Sequence, residues 1–144
     1  MRIWIDCEWN DWQGNLISMA LVAEDGREFY EELRCLYPTK WVFDNVMPHL
    51  HGKAITHYEF GSKLRRFLEQ FDEIAIIADW PEDIKHFCDA LIIGPGQCLL
   101  DPIKFMSFVR PIKSQSEIPH HALWDARANK KAMLEQEEKD FVTS

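Results

Sequence analysis

A run near the start of the chain, Arg2–Trp9 (Arg-Ile-Trp-Ile-Asp-Cys-Glu-Trp), alternates like a strand and ends in two acids. Ile3 and Ile5 alternate with Arg2 and Trp4, the period-2 pattern of a β-strand, and the run is rich in β-formers. Side chains two residues apart share one face of a strand, so Asp6 and Glu8 emerge side by side at its end. Like charges that close resist joint ionisation. A divalent cation removes the cost, and hard, oxygen-liganded Mg²⁺ or Mn²⁺ is the natural occupant. Alone, Asp-x-Glu is a weak signal, because strand ends often carry acids simply where they meet solvent. It needs partners from elsewhere in the chain.

The 144 residues fit one domain, 1–144, large enough to bury a real core. Cys7, Cys35, Cys88 and Cys98 are scattered, with no Cys-x-x-Cys pair. That pattern predicts a reduced, cytoplasmic setting and argues against a cysteine-held zinc. No apolar run approaches the ~20 residues of a membrane span, and no secretory signal is visible, so no membrane partner is expected. The formal net charge of −8 argues against broad electrostatic attraction to nucleic acid. It leaves room for an enzyme that meets phosphate through cations lodged in an acidic pocket.

Turn residues fill 10–15, a second apolar strand follows at Leu16–Ala23, and a third is expected over 27–33. Asp25-Gly26 between them is a hairpin signal, so strands one to three read as an antiparallel meander. Residues 41–50 suggest a short helix limited by Pro48. Thr56 and Glu59 form a capping-box pattern ahead of a helix over 56–71, with Phe60, Leu64, Phe67, Leu68 and Phe71 on one face. Residues 73–78 read as a buried, parallel strand. A helix should then start at Asp79-Trp80-Pro81-Glu82, with Asp79 as cap, and run to about Ile92. That places Asp83 one turn in, just past a central strand's end, where ligand sites of α/β sheets gather. Gly94-Pro95-Gly96 is a turn, residues 98–100 are a candidate strand, and 101–109 is ambiguous. Residues 110–119 read as a polar loop whose Arg110 and Lys113, with Lys104, form a modest basic grouping. A final helix is expected over 122–139.

Ahead of that helix the segment 119–129 brings His120, His121 and, one turn in, Asp125. An acid there completes a cation site if the helix packs across the end of the first strand. The bland alternative is a histidine at a helix start and an acid favoured by the helix N-terminus.

With these residues the chain resembles the DEDD 3′–5′ exonucleases in their histidine-containing branch, the group of RNase T, oligoribonuclease and polymerase proofreading subunits. The first motif of that family, Asp-x-Glu, matches Asp6-Cys7-Glu8. The third, His-x-Ala-x-x-Asp-Ala, matches residues 120–126 without a gap. The second, an Asp near the start of the helix after the fourth strand, matches Asp83. Asp79 stands where the family commonly has Asn, a departure that keeps Asp79 a rival for the role. The chain is most similar to a compact bacterial and phage exoribonuclease subgroup, with which it shares a similar second strand (here Asn15-Leu16-Ile17-Ser18) and the Glu24-Asp25-Gly26-Arg27-Glu28 hairpin.

The resemblance implies an RNase H-like α/β fold: a mixed five-stranded sheet, an antiparallel three-strand meander plus parallel strands, with helices on both faces. It implies metal-dependent 3′–5′ exonuclease action on single-stranded nucleic acid, RNA favoured over DNA, releasing nucleoside 5′-monophosphates. Phosphodiester hydrolysis of this kind uses two divalent ions about 4 Å apart. Asp6 is expected to be shared by both, Glu8 and Asp125 to complete one site, and Asp83 to hold the second ion. His120 is the expected proton acceptor, since a histidine's ordinary pKa of about 6.5 suits that task. His121, four residues before Asp125 on a helix, is its rival as a metal ligand. Trp9 and Lys113 are the candidate substrate contacts, Trp12 and Trp80 weaker ones. A homodimer is left open. A DNA-directed exonuclease, an RNase H-type endonuclease and a non-catalytic nucleic-acid or protein-binding domain are the competing readings.

Overall fold

The computed structural model describes residues 1–102 and 104–144; Ile103, inside the ambiguous stretch, lies outside the described residues. Strands β1 (Arg2–Trp9), β2 (Leu16–Ala23) and β3 (Glu28–Glu32) form the meander. Gly26 makes its turn at φ +96, a backbone conformation open to glycine, and Asp25 Oδ1 accepts the Arg27 N–H at 3.1 Å. After a short helix α1 (Lys40–Asn45) and a 3₁₀ turn at Met47–His49 comes α2 (His57–Leu68). Its capping box is formed by Thr56 and Glu59 as predicted. Strand β4 (Ile74–Ala78) leads into α3 (Pro81–Leu91), then a small hairpin of β5 (Ile92–Gly94) and β6 (Gln97–Cys98). Strand β7 (Phe105–Val109) and the long helix α4 (Ala122–Val142) complete the chain.

The main sheet has the order β3-β2-β1-β4-β7, antiparallel across the meander and parallel from β1 through β4 to β7. This is the RNase H-like arrangement. Two details of the expected layout change. The strand expected at 98–100 is only the short arm at Gln97–Cys98 of the separate hairpin, and the fifth strand of the main sheet is β7, inside the ambiguous stretch. Strand β7 lies on the sheet's edge with Met106, Phe108 and Val109 exposed, so it lacks the alternation that marks a half-buried strand. Asp79 is not the cap of α3: Trp80 occupies the N-cap with no side-chain cap bond, and Pro81 opens the first turn.

Alternation along β1 sorts the core. Ile3, Ile5 and Cys7 face α2 and α3 with Phe60, Leu64, Phe67 and Phe87. The opposite face meets α4, where Ala20 and Val22 pack on Ala122 and Ala126. Alanine against alanine lets the helix axis come close to the sheet. Trp4 Nε1 reaches Met133 Sδ at 3.3 Å and Arg2 holds both oxygens of Glu137 at 2.8 and 2.9 Å, fixing the orientation of α4. A bulge between Glu8 and Trp9 leaves Ile17 without a register partner, and it packs instead under α1 with Val42 and Val46. No helix among the described residues is long and apolar enough to cross a membrane.

Candidate metal centre

Five carboxylates converge where β1 and β4 end. Asp6 and Glu8 share the α4 face of β1, the arrangement that strand alternation predicts. Strand β4 runs parallel to β1 in the register Arg2 with Ala75, Ile3 with Ile76 and Trp4 with Ile77. Extending that register past the end of β4 brings Asp79 alongside Asp6. Asp83, in the first turn of α3 and 2% exposed, reaches the same point from the other side. Its Oδ1 accepts the Cys7 N–H at 2.9 Å, a bond that ties α3 to β1. The alanine contacts that seat α4 deliver Asp125 from its first turn.

Ligand atoms of Asp6, Glu8 and Asp125 lie within 4.8 Å of one another, as do those of Asp6, Asp79 and Asp83. Asp6 belongs to both groups. Its Oδ2 is buried without a hydrogen-bond partner, an orphaned acceptor that a cation would satisfy. The four expected ligands are therefore together, and Asp79 joins Asp83 on its side of Asp6 instead of replacing it.

Burial dominates the electrostatics, and the acids then oppose one another. The Asp6 carboxyl is pushed well above the ordinary range by burial and then by Asp83, Glu8, Asp125 and Asp79. Burial, followed by Asp125 and Asp83, pushes Glu8 up to about 8. Asp83 is likewise raised to about 8 by burial, with the Cys7 N–H pulling down and Asp79 and Glu82 pushing up. Asp125 is raised by burial despite the His120 N–H that it accepts. Such a set suits divalent cations bound by oxygen, Mg²⁺ or Mn²⁺.

The two histidines part ways. His120 is exposed at φ +64, a left-handed conformation uncommon outside glycine and found at functional turns. Its backbone N–H donates to Asp125 Oδ2 at 3.0 Å, and its ring stands edge-on to Trp41 at 5.0 Å. His121 is 1% exposed, stacked on Tyr30, with Nε2 facing His51 Nε2 at 3.2 Å. Among the described residues it joins neither carboxylate group.

Two concavities flank the acids. One, of about 540 Å³, is lined by Asp6, Asp79 and Asp125 together with residues 114–116 of the polar loop. Ser114 Oγ donates to Asn129 Oδ1 at 2.6 Å, anchoring that loop to α4. The other, of about 300 Å³, is lined by Glu8, Trp9, Asp11, Trp12, Trp41 and Glu82. Trp9 thus stands beside the acids, with its ring tilted by 33° against that of His86, centroids 5.0 Å apart. Lys113 does not: with Arg110 it lines a separate cleft against the flank of α4. Sequence reasoning missed Trp41, whose only local signal was a bulky aromatic at the exposed start of a short helix. No family model matches the chain, and no curated protein matches it.

Proposed function

We propose that the protein is a metal-dependent 3′–5′ exonuclease acting on single-stranded nucleic acid, RNA favoured over DNA, and releasing nucleoside 5′-monophosphates. The observation that carries this reading is Asp6, common to two carboxylate groups and left with a buried, unpartnered oxygen. Asp6 would bridge two divalent cations, with Glu8 and Asp125 completing one site and Asp83 and Asp79 the other. Bound there, the cations supply charge neutralisation on the attacking and leaving oxygens of a phosphodiester. A module that only bound nucleic acid would gain nothing from crowding five acids, since their charge repels phosphate.

The chain's own residues do the rest. His120 is tethered through its backbone to Asp125, next to the acids, and accepts the proton of the attacking water. The aromatic cleft of Trp9, Trp12 and Trp41 offers faces on which terminal bases stack without regard to sequence. The hydroxyl and amide groups of Ser114, Gln115 and Ser116 line the opposite side, where sugar and phosphate oxygens need donors. Four cysteines free of disulfides accord with a cytoplasmic setting.

The test is degradation of 5′-labelled RNA and DNA oligonucleotides with Mn²⁺ or Mg²⁺, with nucleotide products identified chromatographically. A ladder shortening from the 3′ end, stopped by EDTA and by Asp6→Asn, is expected. Undiminished cleavage after exhaustive chelation, or internal cuts on a 3′-blocked strand, would overturn the assignment.

A further inference from the structure

We propose that His51, His121 and Glu32 form a second cation site, separate from the carboxylate centre, that takes one borderline transition ion, Zn²⁺ by preference. The site does not depend on the exonuclease reading. It is assembled from three distant places: the end of β3, the loop after the 3₁₀ turn, and the residue ahead of α4. Ligand atoms of the three residues lie within 4.8 Å of one another.

The imidazole pair is the core of the argument. His51 Nε2 and His121 Nε2 face each other at 3.2 Å. Zn–N bonds of about 2.0–2.1 Å in a tetrahedron put neighbouring nitrogens about 3.3 Å apart, so the pair already spans one edge of such a site. Between two neutral rings facing Nε2 to Nε2 only one proton fits, and one ring must donate it. A cation needs no such asymmetry. Tyr30 holds both rings in place, stacked on His121 with centroids 4.9 Å apart and edge-on to His51 at 5.2 Å. His121 is 1% exposed, and its Nδ1 has no hydrogen-bond partner.

Glu32 supplies the charge. It is 3% exposed and accepts the N–H groups of His51 at 2.7 Å, Gly52 at 3.0 Å and Lys53 at 3.3 Å, and the Tyr30 hydroxyl as well. Those bonds keep a buried carboxylate ionised beside the rings. Joining an ion would exchange the Tyr30 hydroxyl for the metal. Two imidazoles and one carboxylate select Zn²⁺ over Mg²⁺, and the exposed His51 provides the way in. An ion here would clip the loop carrying His51 to the start of α4.

The experiment is a Zn²⁺ titration against a chromophoric chelator, on the Asp6→Asn protein and on the unaltered protein with excess Mg²⁺ occupying the carboxylates. Both should bind one equivalent with a rise in Tm. Adding His51→Ala, an exposed position whose loss leaves the core intact, should weaken binding by about 100-fold or more, beyond the loss typical of an outer-shell partner. Co²⁺ in place of Zn²⁺ should give the intense visible bands of a four- or five-coordinate ion without thiolate charge transfer. Absence of binding, binding indifferent to His51→Ala, or thiolate bands would overturn the site and leave a hydrogen-bonded histidine pair.

Discussion

Raising the pH should destabilise the metal-free protein and strengthen its hold on Mn²⁺, and both effects have one origin. Glu8 and Asp83 are each raised to about 8 by burial among other acids. Unfolded, they titrate near the ordinary carboxylate values of about 4. A carboxyl whose folded pKa lies above its unfolded one contributes stability that is fully present below the unfolded value. That stability is lost as pH rises to the folded value, at up to about 1.4 kcal/mol per pH unit for each group. The metal-free Tm should therefore fall steadily between about pH 4 and 8. Cation binding needs both groups ionised, and one unit below its pKa each is only about a tenth ionised. Two protons released from Glu8 and Asp83 at about pH 6 to 7 make the apparent Mn²⁺ affinity climb by about 100-fold per pH unit, and a proton still held by the raised Asp6 carboxyl steepens the climb further. Calorimetric titration in buffers of different ionisation enthalpy counts the protons directly. Mn²⁺ at about 100 times its Kd adds about 2.7 kcal/mol, and at one fixed Mn²⁺ concentration the gap in Tm between metal-free and Mn²⁺-loaded protein should widen with pH as Kd falls. An affinity changing less than about threefold from pH 6 to 8, with under half a proton released, would refute the placement of these carboxyls in the cation site.

Asp83→Asn should abolish turnover without unfolding the protein, because the amide oxygen can still accept the Cys7 N–H; a stable, fully active variant would remove Asp83 from the site. Asp79→Ala should weaken Mn²⁺ binding and leave Tm unchanged or higher, since Asp79 caps no helix; a loss of about 1 kcal/mol in denaturant melts would restore the capping role. His120→Ala should lower single-turnover kcat by about 10²–10⁴-fold with Mn²⁺ affinity nearly intact. His121→Ala should instead cost about 2–4 kcal/mol of stability, as a large buried ring is removed, with the rate of the folded fraction little changed. The opposite pattern in the two histidine variants would transfer the base role. Trp41→Ala, at a half-exposed ring, should weaken single-stranded oligonucleotide binding by about 1–3 kcal/mol at unchanged Tm, read by fluorescence anisotropy.

Much of the framework is written in local signals. The alternation of Arg2–Trp9, the Asp25-Gly26 turn and the Thr56–Glu59 box each depend on neighbours a few residues away, and each is where the chain predicted it; Pro81 does fall in the first turn of α3, though the cap does not fall on Asp79. The pairing of Asp6 with Glu8 follows from the same period of two. What the sequence left undecided depends on register and packing between distant segments. Strand β7 hides because an exposed edge strand has no face to bury and so no alternation to display. Asp79 reads as a cap in one dimension; only the parallel register of β1 and β4 sets it beside Asp6. Lys113 belongs to the right loop but turns to the flank of α4, and residues 114–116 face the acids in its place. His120 and His121 are adjacent in the chain yet opposite in fate, because the left-handed turn at His120 leaves it exposed while His121 is buried against Tyr30 and His51. Periodicity and caps are properties of a few consecutive residues. Which carboxylates meet is decided by contacts between distant segments: the parallel register of β1 and β4, the Cys7–Asp83 bond, and the close seating of α4 on the alanine face of the sheet.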